Sequence, residues 1–475
     1  MAGIDPADLE ICLRVLGEVD SFPGEHPDAQ AVRSATARLY KTVKRLRRIE
    51  RREAILANDQ AVTAATATGA PGRIDDETRG LPLVSSVRGA TAGTLKQTRA
   101  CYVCKTRFVE VDAFYHQLCP SCAAGHHRRR EARTDLSGRR ALLTGGRAKI
   151  GMYIALRLLR DGAETTITTR FPNDAIRRFT DMPDSAEWLE RLHVVGIDLR
   201  DPAQVVALSD SLSARGPLDI LINNAAQTVR RSAEAYAPLI EAERAALPEG
   251  PLPRLSRFGR EVETPRELAQ DSRAHWMPTP EALTALALTA GSASPERIAL
   301  GSAIDAGGLV PDLHPVNSWI QRVNEVDPLE LLEVQLCNTT APFILVSRLR
   351  PALAASQARR TYIVNVSAME GQFSRGYKGP GHPHTNMAKA ALNMLTRTSA
   401  QELLESDGIL MTSVDTGWIT DERPHPMRMR LAEDGFHAPL DLVDGAARVY
   451  DPIVRGESGE DIHGCFLKDY EPSPW

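Results

Sequence analysis

The apolar positions of this 475-residue chain change their period several times, and each change marks a boundary. From about residue 6 to 19 they recur at helical spacing, with Leu9, Cys12, Leu13 and Leu16 on one face. A second helix is predicted from about 27 to 58, separated from the first by Ser21-Phe22-Pro23-Gly24, because Pro and Gly interrupt a continuous helix. Among its apolar positions Val32, Leu39, Tyr40, Val43, Leu46 and Ile49 it carries nine basic residues between Arg33 and Arg52. A solvated charged face is the simpler reading of such a helix, and a surface for phosphates or an acidic partner is the other. From 61 to 95 the composition shifts to Ala, Thr, Gly, Pro and Ser with little period, which predicts a linker.

From Arg139 onward short apolar runs alternate with helical spacing. A run at 140 to 144 ends in a Gly turn, 150 to 161 reads as helix, and 164 to 169 is β-branched. Further strands are expected at 193 to 197, 218 to 223 and 362 to 366. This alternation predicts an α/β domain with a parallel sheet and right-handed crossovers.

Composition narrows the class. Hydrophobic residues make up 43% and charged residues 25%, which excludes collagenous, disulfide-scaffold and wholly disordered chains. A net charge of -4 excludes a polycation, so nucleic acid is not the expected partner and any basic surface must be local. No stretch reaches the ~18 uninterrupted apolar residues of a spanning helix, and acids rather than Lys or Arg precede the first apolar stretch. A cytoplasmic protein without membrane contact is expected.

Seven cysteines are few for this length, and four of them form two Cys-x-x-Cys pairs, Cys101 with Cys104 and Cys119 with Cys122. That usage suits a reducing compartment and a metal better than disulfides. The residues between the pairs hold alternating β-formers suited to a hairpin. Two turns that each present two thiolates supply the closed tetrahedral set that structural Zn²⁺ takes at about 2.3 Å. Two disulfides or a redox pair are the alternatives. The segment resembles zinc ribbons generally, and its spacing does not say what it binds, a protein partner being the candidate. Cys12, Cys337 and Cys465 read as small buried apolar residues. The run His126-His127-Arg128-Arg129-Arg130 reads as a basic hinge rather than a nucleic-acid contact.

The turn Thr144-Gly145-Gly146-Arg147-Ala148-Lys149-Ile150-Gly151 would bring backbone N–H groups and a helix N-terminus against a pyrophosphate. Together with motifs further along the chain, this turn resembles the short-chain dehydrogenase/reductase superfamily. Thr144, Gly145 and Gly151 match the Gly turn; Asp198-Leu199 stands where the adenine contact belongs; and Asn223-Asn224-Ala225-Ala226 matches the motif that ends the fourth strand. Asn338, Ser367 and Lys389 match the helix Asn, the strand-ending Ser and the Lys of Tyr-x3-Lys, and Asp415-Thr416-Gly417-Trp418 looks like the turn near the nicotinamide. The resemblance covers about 135 to 475. It implies a Rossmann-type doubly wound parallel sheet, preceded here by a helical N-terminal region (1–60), a linker (61–95) and the small zinc-ribbon-like four-cysteine module (96–130). It also implies cofactor contacts from Thr144, Gly145, Arg147, Lys149, Ile150, Gly151, Arg170, Asp198, Leu199, Asn224, Ala225, Lys389, Thr416 and Gly417. Arg170, at the end of the second strand, implies NADP in preference to NAD, because Arg pairs with a 2′-phosphate where an acid would bind the ribose hydroxyls. Members of the superfamily form oligomers, which makes a homo-oligomer the expectation.

Three departures from the pattern stand out. Four residues before Lys389, where the proton-donating Tyr belongs, is Thr385, and Tyr377 and His384 are the candidates to replace it, with His382 next. Lys149 stands in place of the second fingerprint Gly. A long insertion, at about 228–315, comes after the fourth strand. The leading expectation is an NADP-dependent oxidoreductase acting on a carbonyl or hydroxyl of an unidentified small molecule. In it Ser367 polarises the oxygen, Lys389 holds the ribose and lowers a donor's pKa, Asn338 holds the helix geometry, and Tyr377 or His384 moves the proton. The alternative is a dinucleotide-binding pseudoenzyme, a scaffold or redox sensor that engages a partner through the zinc ribbon and N-terminal helices.

Overall fold

Strands such as Arg140–Leu143 and Ile409–Asp415 are buried at nearly every position, which suits a parallel sheet covered on both faces. The computed structural model describes the chain except residues 1–2, 72, 74–82, 232, 259–313, 421 and 434. Two helices come first, α1 (Pro6–Glu18) and α2 (Pro27–Ala65). An antiparallel pair, β1 (Thr91–Ala100) and β2 (Arg107–Asp112), and α3 (Pro120–Glu131) come next. The sheet domain then runs β3 (Arg140–Leu143), α4 (Lys149–Arg160), β4 (Glu164–Thr169), α5 (Pro172–Thr180), β5 (Leu192–Gly196), α6 (Pro202–Ala214) and β6 (Ile220–Asn223). It continues with α7 (Ala233–Arg244), β7 (Arg254–Arg257), α8 (Pro328–Ala354), β8 (Thr361–Ser367), α9 (Pro383–Asp407) and β9 (Ile409–Asp415). Last come α10 (His425–Glu433), α11 (Leu442–Glu457), β10 (Phe466–Lys468) and β11 (Glu471–Ser473).

The strand order is β11-β10-β9-β8-β6-β3-β4-β5-β7, with every neighbouring pair parallel except β10 with β11. This is the Rossmann-type sheet, and its order reverses between β3 and β6, the place where α/β sheets open a crevice at their carboxyl ends. One apolar core unites α4, α5 and α11 with the sheet; the other unites α6, α8 and α9. Helix starts are set by the sequence: Asp201 caps α6 before Pro202, Asp327 caps α8 before Pro328, and Asp441 forms a capping box with Asp444 on α11. By length and composition α8 could cross a membrane, but its Leu345, Leu349 and Leu353 are buried in the core and its Glu333 is buried against Arg200 at 3.0 Å.

Several boundaries differ from the expectation. The second helix continues to Ala65, because Val62 and Thr63 pack on the hairpin instead of ending at Asn58. The expected linker at 61–95 is anchored at both ends: the N–H groups of Ala67 and Thr68 donate to the carbonyls of Ala113 and Phe114 at 3.1 and 2.9 Å, and β1 begins at Thr91. The insertion supplies α7 and the edge strand β7; the rest of it, 259–313, lies outside the described residues. Cys12 is exposed rather than buried, since α1 buries none of its residues.

The Cys module does not hang from a hinge. Leu95, Cys101, Phe108, Val111, Tyr115 and Leu118 belong to the same apolar core as α4 and α11. The expected basic hinge is the end of α3, and its charges are used inside the fold. Arg129 pairs with Asp451 at 2.6 Å, and Arg130 bridges Asp441 at 2.6 Å and Asp444 at 3.0 Å. Tyr115 donates its hydroxyl to Asp444 at 2.6 Å. Arg130→Met should therefore leave two buried carboxylates facing each other without a cation and cost about 3–5 kcal/mol. Chemical denaturation measures this, and a loss no larger than that of an exposed Arg128→Met control would refute it.

Candidate functional site

The site begins at the turn between β3 and α4. Gly145 has φ +71, and a Cβ on Gly151 would lie 2.0 Å from the Gly145 carbonyl oxygen, so both positions require glycine. Asn224 locks the turn from β6 by donating its Nδ2 to the carbonyls of Thr144 (2.9 Å) and Gly145 (3.1 Å). In return Thr144 Oγ1 accepts from the N–H groups of Asn224 and Ala225, at 3.0 and 2.9 Å. Thr144 thus acts behind the turn, whereas Gly145, Arg147, Lys149, Ile150, Gly151, Asn224 and Ala225 line a cavity of about 660 Å³. Lys149, in the place of the expected glycine, keeps the left-handed backbone that glycine would take, at φ +54. That conformation costs a non-glycine residue about 1–3 kcal/mol. No side chain caps the start of α4 at Ala148, so the first N–H groups of this helix are open to an anion. The Lys149 Nζ stands 3.7 Å from Glu422.

Arg170, Asp198 and Leu199 line the same cavity, at the ends of β4 and β5. Arg170 is surrounded by protein yet accessible through the cavity, and it donates to the Tyr236 hydroxyl at 3.2 Å. Burial works against its charge, but Tyr236 and Asp198 outweigh burial and hold its pKa up. Arg147 is spent differently: its guanidinium pairs with Asp174 at 2.5 Å. Asp198 accepts from Arg200 at 2.6 Å.

At the other end the cavity is lined by Ser367, Lys389, Thr416, Gly417 and Trp418, as the motifs implied, and also by Thr385, Trp319, Cys337 and Glu370. Lys389 donates to the Val366 carbonyl at 2.8 Å. Burial lowers its pKa to about 8, only partly opposed by Glu370 and Cys337. Thr385, one turn earlier on α9, faces the same cavity, and its buried hydroxyl makes no hydrogen bond. Asn338 sits in a π turn of α8, away from the cavity, and clamps the chain after β6: its Oδ1 accepts from Gln227 N–H at 2.7 Å and its Nδ2 donates to Gln227 O at 2.9 Å.

Neither proton-donor candidate reaches the site. Tyr377 is 76% exposed, on a loop whose Lys378 donates back to Met369 O at 2.9 Å, so the Gly-Pro-Gly stretch does not fold it inward. His384 is buried, its ring nitrogens unpartnered and its pKa lowered by burial and by His382. One residue before Thr385, it points about 100° away around the helix, off the cavity face. His382 stacks on Trp319, with ring centroids 4.0 Å apart. The sequence reading missed Tyr236, inside the insertion, Trp319, just after it, and Glu370, three residues after Ser367, which no motif marks. Cys337, read as buried filler, lines the cavity.

The thiols of Cys101, Cys104, Cys119 and Cys122 lie within 4.8 Å of one another, and those of Cys104 and Cys119 are 3.6 Å apart. Four ligands at about 2.3 Å from a tetrahedral centre stand about 3.8 Å apart, so the cluster has the dimensions of a closed metal site. The cluster abuts the cavity wall. Tyr102, between the first two cysteines, accepts the N–H of Trp418 on its hydroxyl at 2.9 Å.

A family model described as short chain dehydrogenase matches residues 139–242. An uncharacterized protein of Acanthamoeba polyphaga mimivirus is 30% identical over 372 residues, covering 75% of this chain and 71% of its own. A probable oxidoreductase of Streptomyces lividans is 41% identical over 91 residues, 19% of this chain and 29% of that protein. Among solved structures, a short chain dehydrogenase from Burkholderia cenocepacia J2315 in complex with NADP is 20% identical, covering 70% of this chain and 97% of its own, with a TM-score of 0.43.

Proposed function

We propose that this chain, which belongs to the short-chain dehydrogenase/reductase superfamily, is an NADP-dependent oxidoreductase acting on a carbonyl or hydroxyl group with a proton donor other than Tyr. The observation that carries the reading is one continuous cavity. It joins the Gly turn and the open start of α4 to Arg170 at one side and to Ser367, Thr385 and Lys389 at the other. These residues fit a dinucleotide: open N–H groups for phosphate, Arg170 for a 2′-phosphate, and Lys389 for a ribose. When bound, the reduced cofactor would give a hydride to a carbonyl and the oxidised cofactor would take one from an alcohol.

The protein's part is to hold the substrate oxygen and move its proton. Ser367 and the unpartnered Thr385 hydroxyl flank the site that this oxygen would take. Lys389 lines this wall together with Glu370, Cys337 and Asp415; burial lowers its pKa to about 8, and with Tyr377 and His384 lying elsewhere we assign the proton to its ammonium. The four thiols, as thiolates, would hold a structural Zn²⁺ with no open position, in a reducing compartment such as the cytoplasm.

Purified protein titrated with NADPH, NADP⁺, NADH and NAD⁺ should bind the phosphorylated pair more tightly. Arg170→Asp should weaken that pair more than the other, and an equal effect on both would remove the assignment. Binding of any dinucleotide without turnover of a broad carbonyl and alcohol panel would favour the alternative reading as a scaffold or sensor. In turnover, reduction needs protonated Lys389 and should fall as pH rises through about 8, while oxidation needs the free amine and should rise over the same range. A profile unmoved by Lys389→Met would overturn the role. Elemental analysis should find one zinc per chain, and chelation should loosen residues 101–122 in hydrogen exchange before β3 to β9 open. A metal-free preparation with the same protection would remove the metal.

A further inference from the structure

The amphipathic pattern of α2 serves neither the cavity nor the cysteine cluster. Its last turns are anchored: Asp59 accepts from the N–H groups of Lys96 and Gln97 at 2.7 and 3.1 Å, and Asn58 donates to the Thr94 carbonyl at 3.3 Å. Val62 closes over Gly93. These residues set one face of the helix against β1. At 3.6 residues per turn the opposite face carries Val32, Ala35, Leu39, Leu46, Ile49 and Leu56. They are the first and fourth positions of a seven-residue repeat, whose two remaining places are Thr42 and Glu53. Val32 is half-buried, and from Ala35 to Leu56 the seam is exposed, Leu39 by 64%, Leu46 by 48% and Leu56 by 55%. None of the nine basic residues between Arg33 and Arg52 falls on it.

We infer that α2 pairs with the α2 of a second copy of this chain as a parallel two-stranded coiled coil. A seven-residue repeat stays on one line only when helices wind around each other, so the period itself favours a helical partner over a flat surface. The flanking charges choose orientation. Arg38, Arg45 and Arg52 all occupy the seventh position, so an antiparallel pair would bring arginine against arginine. In a parallel pair, Arg45 of one copy faces the fifth-position residue of the next repeat in the other, which is Glu50, and Arg52 stands beside the partner copy's seam residue Glu53. An anionic membrane or nucleic acid would engage the basic flank and leave the leucine seam in water.

Site-directed cross-linking of the full-length protein in a Cys12→Ser background tests this. Leu39→Cys and Leu46→Cys should each form a disulfide with themselves on mild oxidation, shifting the chain from 51.9 kDa to twice that mass on a non-reducing gel, while Lys44→Cys on the outer face should not. Pairing at both 39 and 46 is compatible only with the parallel register. Arg45→Glu should reduce the Leu46→Cys cross-link, and adding Glu50→Arg should restore it. Equal cross-linking at 44 and 46, or none at 39 and 46, would overturn the inference. So would protection of both seam cysteines that requires phosphatidylserine vesicles or duplex RNA. Thermal unfolding of each variant checks the fold, and the sheet domain's transition should not move, because every substituted position is exposed.

Discussion

Burying charge on the last long helix is what organises the rest of the molecule. Asp441 caps α11, and Asp444, Arg448 and Asp451 stand at roughly helical spacing on one buried face. None of these groups can leave water without a counter-charge. The partners come from segments outside the parallel sheet. Arg129 and Arg130 arrive on α3, Tyr115 arrives after β2, and Asp469 arrives on the C-terminal hairpin to pair with Arg448 at 2.5 Å. A helix that in a simpler α/β domain would face solvent thus becomes the floor on which the cysteine module is laid. The module cannot be an independent appendage, because removing it would leave buried carboxylates unpaired.

The same floor reaches the cavity. Arg448 also meets His126 Nε2 at 3.1 Å, and a Cβ on Gly417 would fall 1.9 Å from its Nη1, so the Thr416-Gly417-Trp418 turn is seated directly on the buried arginine. Gly417, at φ +76, meets both demands on that position, a left-handed backbone and no side chain. Above it, Tyr102 takes the Trp418 N–H. The wall of the cavity is therefore held from below by α11 and from the side by the first cysteine turn. Burial raises the pKa of Asp415, which begins this turn, opposed by Arg448 and by the Gly417 N–H bound at 3.0 Å.

Much of this was legible in the chain, and what was not shares a cause. The Gly turn, the Asn-Asn-Ala segment, Ser367 and Lys389 are local patterns whose neighbours in sequence determine their geometry, and all but one of the residues expected to contact the cofactor line one cavity. Thr144, the exception, acts through Asn224 and Ala225. The cysteine pairs are local in the same sense. The proton donor is not. Whether Tyr377 reaches the site depends on where a Gly-Pro-Gly loop goes, and no periodicity encodes that. His384 could have been set aside from helical spacing alone: Thr385 and Lys389 are four apart and share a face, and a residue one position off does not. The edge strand β7 was illegible because Arg254-Leu-Ser-Arg257 is polar, as an edge can be when only one side is covered. The docking of α3 was hidden because its arginines read as a solvated run until the acids that receive them, more than 300 residues later, are placed beside them.

The residue that replaces the family's Tyr shows how these constraints combine. A hydroxyl on Thr385 is too short to span the distance a phenol covers and too weak an acid to serve by itself, so the proposed reading takes its proton from another group that lines the cavity. Lys389 qualifies because burial lowers its pKa while its Nζ stays tethered to the Val366 carbonyl. Glu370, on the same wall, opposes that lowering, which keeps the ammonium available near neutral pH. In the proposed reading, a lysine that in the resemblance only assists a phenol becomes the proton donor itself. On that reading, the burial that lowers the Lys389 pKa also sets the pH range over which its proton can move.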